Sequence, residues 1–272
     1  MGRRPLNGSL SAGTGRVRGR RDRRSVATAT PKSSAGGDPS VTTGAVLAGG
    51  RSTRFGDRDK AVAELAGVPM IRRVADRLAG TDDPVPPGAA RAAGGDPVVD
   101  ELAVNCRPDQ REAIAAALQG IPLPVTWALD DEPGLGPTAG IRNACRAARS
   151  EYVAVVACDT PFVDPAFLAS LRGDAAGRDA AVPRLDDRWL QTTQAVYRAD
   201  ATADACDRAL ARGDRKVVAA LDELDRVVVG DETIRSRTTE RTFTNVNTRA
   251  ELAEAEAAIA EALGTGDDDG RE

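Results

Sequence analysis

The sequence predicts an α/β fold with a doubly wound, mostly parallel central sheet, and three observations carry that expectation. Short apolar segments alternate with helix-periodic ones along most of the chain, as repeated β-α units require. The apolar residues are mainly aliphatic, with 41% hydrophobic but only 3% aromatic residues, which suits strands buried on both faces. A glycine-rich turn follows the first strand and leads towards a helix, the usual place for a ligand loop in such a sheet.

Each element has its own justification. Residues 43–48 enclose the apolar run Ala45-Val46-Leu47 and read as the first strand. Residues 69–79 have a helical period after Pro69. Residues 80–100, rich in Pro, Gly, Asp and Ala, break the rhythm and read as an inserted surface loop. Strand 102–106 and helix 109–119 follow, then strand 124–128 and helix 138–149. The run Tyr152-Val-Ala-Val-Val-Ala157 is the clearest buried strand, succeeded by a helix over 165–172. Strands 180–183 and 193–198, helices 200–212 and 216–221, strand 226–229 and helix 248–263 complete the body. One domain over 41–263 is expected, with a loose acidic tail at 264–272.

Residues 1–40 are rich in Gly, Ser, Arg and Pro and carry nine basic and two acidic residues. They read as a disordered basic tail. The remainder holds 28 basic and 39 acidic residues, so an acidic body stands behind a basic arm. Such an arm suits nucleic-acid contact or an over-extended translation start, and nucleic acid is not the expected partner. An acidic body would suit a high-salt cytoplasm.

Composition also excludes chemistry. The chain has no His, which removes His metal sites, His general bases and Ser-His or Cys-His nucleophile pairs. Cys106, Cys145, Cys158 and Cys206 are far apart with no C-x-x-C pairing, so small buried thiols in a reducing cytoplasm are expected. No apolar stretch reaches the length of a membrane span, and no membrane partner is expected.

The most informative segment is Leu47-Ala-Gly-Gly-Arg-Ser-Thr-Arg-Phe-Gly-Asp-Arg-Asp-Lys60. Gly49 and Gly50 let the backbone approach a phosphate and point N–H groups at it. Arg51, Arg54 and Lys60 supply positive charge for a triphosphate. The spacing matches neither the Walker pattern nor the dinucleotide fingerprint. The chain has 34 Arg and only three Lys, so a lysine retained inside this loop is a selective feature; a tight turn with a surface lysine is the plainer alternative.

Ligands in an open α/β sheet sit beyond the carboxyl ends of the strands. After 152–157 comes Cys158-Asp159-Thr160-Pro161, where Asp159 either holds Mg²⁺ against a triphosphate or caps a turn. After 124–128 come Asp130, Asp131 and the loop Gly134-Leu-Gly-Pro-Thr-Ala-Gly140, a candidate wall for a base or second substrate. Asn105, at the end of its strand, is suited to a ribose or base, or to a turn. Asn245 and Asn247 are candidate metal or substrate ligands, while Thr248 with Glu251 reads as a capping box.

In order, Leu47-Ala-Gly-Gly…Asp59-Lys60, Gly136-Pro-Thr-Ala-Gly140, Cys158-Asp-Thr-Pro161 and Asn245-Val-Asn-Thr248 resemble the molybdenum cofactor guanylyltransferases. Arg212-Gly-Asp-Arg-Lys-Val217 resembles that family's basic segment before a helix, and the likeness spans roughly 43–260. The resemblance implies a Rossmann-like, glycosyltransferase-A-like nucleotidyltransferase fold. It implies that Leu47, Ala48 and Gly49 hold GTP through backbone contacts, beside Gly50 of the same turn, that Lys60 binds its phosphates with Arg54 helping to offset their charge, that Asn105 and Asp130 hold the nucleoside, and that Asp159 carries Mg²⁺. Gly at position 49 resembles the guanylyl branch, where cytidylyl relatives tend to show Ala. The implied reaction passes GMP from GTP to the terminal phosphate of molybdopterin, with transient contact to molybdopterin-handling or molybdoenzyme partners. Arg198, Arg215 and Lys216 are the candidates for the anionic pterin. A guanylyl- or cytidylyltransferase with another phosphorylated acceptor, such as phospholactate or a sugar phosphate, remains the alternative enzyme. A nucleotide-binding scaffold is the non-enzymatic one.

Overall fold

The computed structural model describes residues 42–50, 59–81, 97–130, 132 and 134–264, with side chains through 261. The basic tail, Arg51, Arg54, Asp131, most of the 80–100 stretch and the acidic tail lie outside the described residues.

In chain order the strands are β1 (Thr42–Leu47), β2 (Glu64–Leu65), β3 (Val68–Pro69), β4 (Glu101–Cys106), β5 (Val125–Leu129), β6 (Tyr152–Ala157), β7 (Ala180–Leu185), β8 (Trp189–Leu190), β9 (Gln194–Arg198) and β10 (Arg226–Val229). The helices are α1 (Met70–Leu78), α2 (Arg111–Ala117), α3 (Pro137–Ala147), α4 (Pro165–Asp174), α5 (Ala199–Ala211), α6 (Val217–Leu221), α7 (Asp231–Arg237) and α8 (Arg249–Gly264). Every expected strand and helix is present within a few residues. The short strands β2, β3 and β8 and helix α7 carry no sequence signal of their own; α7 buries only Ile234, too little for a periodic pattern.

The main sheet runs β10-β7-β9-β6-β1-β4-β5, with β8 pairing on β7. The β6-β1-β4-β5 block is parallel, and β9 alone runs antiparallel to both its neighbours on the path. From β1 the chain steps outward to β4 and β5, then returns to β6 on the other side of β1. The order therefore reverses between β1 and β6, which opens a crevice beyond their carboxyl ends.

Alternation along the strands divides the core between the two faces. Val46, Val104 and Val156 pack with Ile71, Val74, Ile114 and Phe167 of α1, α2 and α4. Ala45, Val153 and Val155 pack with Ile141, Cys206 and Leu221 of α3, α5 and α6. Each Val, Leu or Ile so buried contributes about 1.5–3 kcal/mol against conformational entropy. Gly44 sits where an added Cβ would lie 3.1 Å from both Leu102 and Val99, so a side chain there would push its buried neighbours apart by a few tenths of an ångström.

The far end of the expected 80–100 insertion belongs to the sheet. Val99 is fully buried, and Asp100 accepts from the Thr42 amide at 2.8 Å while its own amide reaches the Thr42 carbonyl. A smaller cluster of Ala63, Leu65, Met70, Val246 and Ala255 binds the β2–β3 hairpin to α8. The buried Arg73 guanidinium donates twice to the Leu65 carbonyl and fixes that hairpin to α1. No helix of the described residues is long and apolar enough to cross a membrane.

Candidate active site at the sheet switch point

Register brings the candidate residues to one edge. Leu47 pairs with both Asn105 and Ala157, and the Ala48 and Cys158 amides extend those ladders one step further. Gly49, Asn105, Asp130 and Asp159 thereby meet around a cleft of about 580 Å³, with Thr193, Asn245 and Asn247 also lining it.

On one side of the cleft, Asn105 is buried and donates to the Ala128 carbonyl at 2.9 Å and to Asp130 Oδ1 at 2.7 Å. Asn143 of α3 donates to the same Oδ1 at 3.1 Å. The carboxylate is thus held by two amides, with Oδ2 turned over Gly49. A Cβ on Gly49 would stand 2.0 Å from that oxygen, and one on Gly140 only 2.6 Å from Asn105 Oδ1. Both glycines are required by close approach. Thr138 Oγ1 donates to the Arg215 carbonyl, and Arg215 Nη1 returns to the Gly134 carbonyl at 3.1 Å, fixing the glycine-rich wall.

On the opposite side, Asp59 caps the 3₁₀ turn Lys60–Val62 by accepting from the Ala61 amide at 3.0 Å, which fixes the turn that carries Lys60. Lys60 Nζ is ion-paired with Asp159 Oδ2 and donates to Asn247 Oδ1 at 2.6 Å. Asp159 Oδ1 is buried without a hydrogen-bond partner. The Val246 amide donates to the Asp159 carbonyl at 2.9 Å, bringing Asn245 and Asn247 beside it. The expected capping box is present: Thr248 Oγ1 accepts from the Glu251 amide, and Glu251 accepts from the Thr248 amide at 3.0 Å. It explains Thr248 and leaves the Asn side chains to the cleft.

Two sequence expectations need correction or addition. Arg198 ends the antiparallel strand β9, so it lies at the opposite edge of the sheet, paired with Glu151 at 3.3 Å. Strand reversal, invisible in local sequence, moves it away from the cleft. Arg107, Gln110 and Asn143 join the site without a sequence signal, although the first two follow directly after β4, where ligand-side residues are expected. All four cysteines are buried. Burial pushes the Cys106 thiol up to about 11 and the Cys158 thiol well above its usual value, which makes nucleophilic roles untenable.

Residues 44–227 match the model of the MobA-like NTP transferase domain. A relative from Natronomonas pharaonis described as a probable molybdenum cofactor guanylyltransferase is 42% identical over 213 residues, covering 78% of this chain and 96% of the relative. A similarly described protein of Haloferax mediterranei is 35% identical, covering 77% and 90%. The solved molybdopterin-guanine dinucleotide biosynthesis protein A of Archaeoglobus fulgidus superposes with a TM-score of 0.62 at 27% identity, covering 80% of this chain and 99% of that one. A 4-diphosphocytidyl-2C-methyl-D-erythritol synthase from Anaerococcus prevotii, at 13% identity and TM-score 0.58, shares the fold. The chain belongs to the family of MobA-like NTP transferases that includes the molybdenum cofactor guanylyltransferases.

Proposed function

We infer that this protein transfers GMP from GTP to the terminal phosphate of molybdopterin, forming the guanine dinucleotide cofactor and releasing pyrophosphate. The relatives' descriptions support the reaction. The observation that carries it is one cleft lined on one side by a set suited to a nucleoside (Gly49, Asn105, Asp130) and on the other by Asp159 and Asn247, both of which Lys60 contacts, a set suited to phosphates.

The Asp130 carboxylate accepts only, and guanine presents two neighbouring N–H donors on one edge, so the two fit chemically. Backbone groups of Leu47, Ala48, Gly49 and Gly50 line the approach to the nucleotide. An acceptor phosphate oxygen attacks the α-phosphorus in line, and the bond to the bridging oxygen breaks as pyrophosphate leaves with the electron pair. A phosphate nucleophile is already ionised near pH 7, so no general base is needed, in keeping with a chain lacking His. Positioning and charge neutralisation do the catalysis. Lys60 neutralises charge on the phosphates, and Arg54 is assigned the same task from its place in the loop.

The residues present fit Mg²⁺. Asp159 Oδ1 is an orphaned buried oxygen, and the side-chain oxygens of Asn245 and Asn247 lie on the same wall. No cluster of three or more metal-ligating side chains exists among the described residues, so phosphates and water would complete the shell. Bound there, Mg²⁺ would offset charge on the transferring phosphoryl group. Arg215, tied to the Gly134 wall, and Lys216 remain assigned to the anionic pterin.

The test is calorimetric titration of GTP, CTP, UTP and ATP with Mg²⁺ present. Clear GTP preference supports the assignment. Preference for CTP or UTP moves it to a sister transferase of the same fold, and no nucleotide binding refutes it.

A further inference from the structure

The two functional ends of the 48–60 segment are joined by one buried side chain from elsewhere in the chain. Gln110, only 2% exposed, donates from Nε2 to the Ala48 carbonyl at 2.9 Å and to Asp59 Oδ2. Its Oε1 accepts from the Arg107 amide at 2.9 Å. Both amide hydrogens are therefore committed to this segment. Ala48 immediately precedes Gly49, and Asp59 immediately precedes Lys60. Arg107 adds a second tie: Nη1 donates to the Gly50 carbonyl at 2.8 Å, and Nη2 lies 4.0 Å from Asp59 Oδ2.

We propose that Gln110, with Arg107, is a positioning clamp that sets the separation between the Gly49–Gly50 backbone and Lys60, so that both act on one triphosphate. The proposal rests on the nucleotidyl-transfer reading for its consequence. Its physical basis is independent of that reading: a buried amide whose two N–H donors go one to each end of the segment resists their separation, because either rupture leaves an unpaired buried polar group. Gln110 touches no reacting atom in this scheme. It acts through Ala48 and Asp59.

The test uses the full chain and three variants: Gln110→Leu, Gln110→Glu, and Gln110→Glu combined with Asp59→Asn. The Leu variant removes all three hydrogen bonds at similar volume. Gln110→Glu sets two carboxylates against each other, and adding Asp59→Asn supplies an amide that restores that bond in the reverse sense. Folding is checked by circular dichroism, GTP affinity by calorimetry with Mg²⁺, and amide exchange at Ala61 and Ala63 by mass spectrometry. The clamp predicts that Gln110→Leu weakens GTP binding by about tenfold or more. Gln110→Glu is worse, the double variant recovers part of the loss, and exchange at Ala61 and Ala63 rises and falls in parallel.

A folded Gln110→Leu protein with GTP affinity within twofold of the parent overturns the clamp. So does a loss common to all three variants that disappears on cooling, since that marks a purely structural role. If the parent itself binds no GTP, the functional reading fails, and the exchange pattern alone decides the clamp: parallel changes uphold it and unchanged exchange overturns it.

Discussion

Adding one methyl group at Gly49 is the sharpest perturbation of the nucleoside side. In Gly49→Ala the new Cβ would fall 2.0 Å from Asp130 Oδ2, where an ordinary carbon–oxygen contact is about 3.3 Å. The carboxylate must retreat by more than about 1 Å. It cannot do so freely, because Asn105 and Asn143 hold its other oxygen at 2.7 and 3.1 Å. Asn105 is itself wedged against Gly140. Hydrogen bonds to a charged group contribute about 1.5–3 kcal/mol each, and retreat breaks at least one and misaims the oxygen left facing the nucleoside. We expect a loss of about 2–4 kcal/mol, which is about 30- to 1,000-fold in GTP affinity. Calorimetry of the variant with GTP and Mg²⁺ reads it directly, and a thermal melt separates lost affinity from lost fold. Adding Asp130→Ala relieves the clash, so the double variant should be no worse than Asp130→Ala alone. A Gly49→Ala protein that binds GTP like the parent would refute both the crowding and the role of Asp130.

Asp159→Ala should abolish transfer while the circular dichroism spectrum stays native, since the residue is at the cleft rather than in either core; near-normal turnover at saturating Mg²⁺ would sink the metal assignment. Lys60→Ala should cost about 2–4 kcal/mol in the transition state, by analogy with losing one oxyanion donor, and an effect below tenfold in kcat/KM would remove Lys60 from the phosphates. The buried cysteines should resist Ellman's reagent at pH 8 in the folded protein and react on unfolding. Below pH 9 the Cys106 thiol is protonated in both states; above it the unfolded chain ionises first, so denaturant midpoints should fall from pH 9 to about 11. Midpoints that rise over that range would contradict the burial.

Much of the fold is legible in the sequence because its signals are local. The Tyr152–Ala157 and Arg226–Val229 strands coincide with their apolar runs, and alternation plus helical period locates the rest. What local pattern cannot carry is direction. Nothing in Gln194–Arg198 says that the strand runs backwards, and that single reversal takes Arg198 away from the expected place. The site is legible where chemistry follows a strand end directly, as for Asn105, Asp130 and Asp159. Gln110 and Arg107 escape because their meaning lies in contacts 51 to 62 residues away, and an isolated Gln after a strand signals nothing. Arg54 lies outside the described residues and keeps only its sequence argument.

The cleft is completed from the far end of the chain. The matched domain ends at residue 227 and every strand of the sheet is complete by Val229, yet Asn245 and Asn247 come later and α8 covers the hairpin that follows Lys60. In order of synthesis, therefore, all the strands of this sheet are made before the two asparagines that line the cleft beside Asp159, so a chain cut after Val229 would keep the strands and lack that part of the cleft wall.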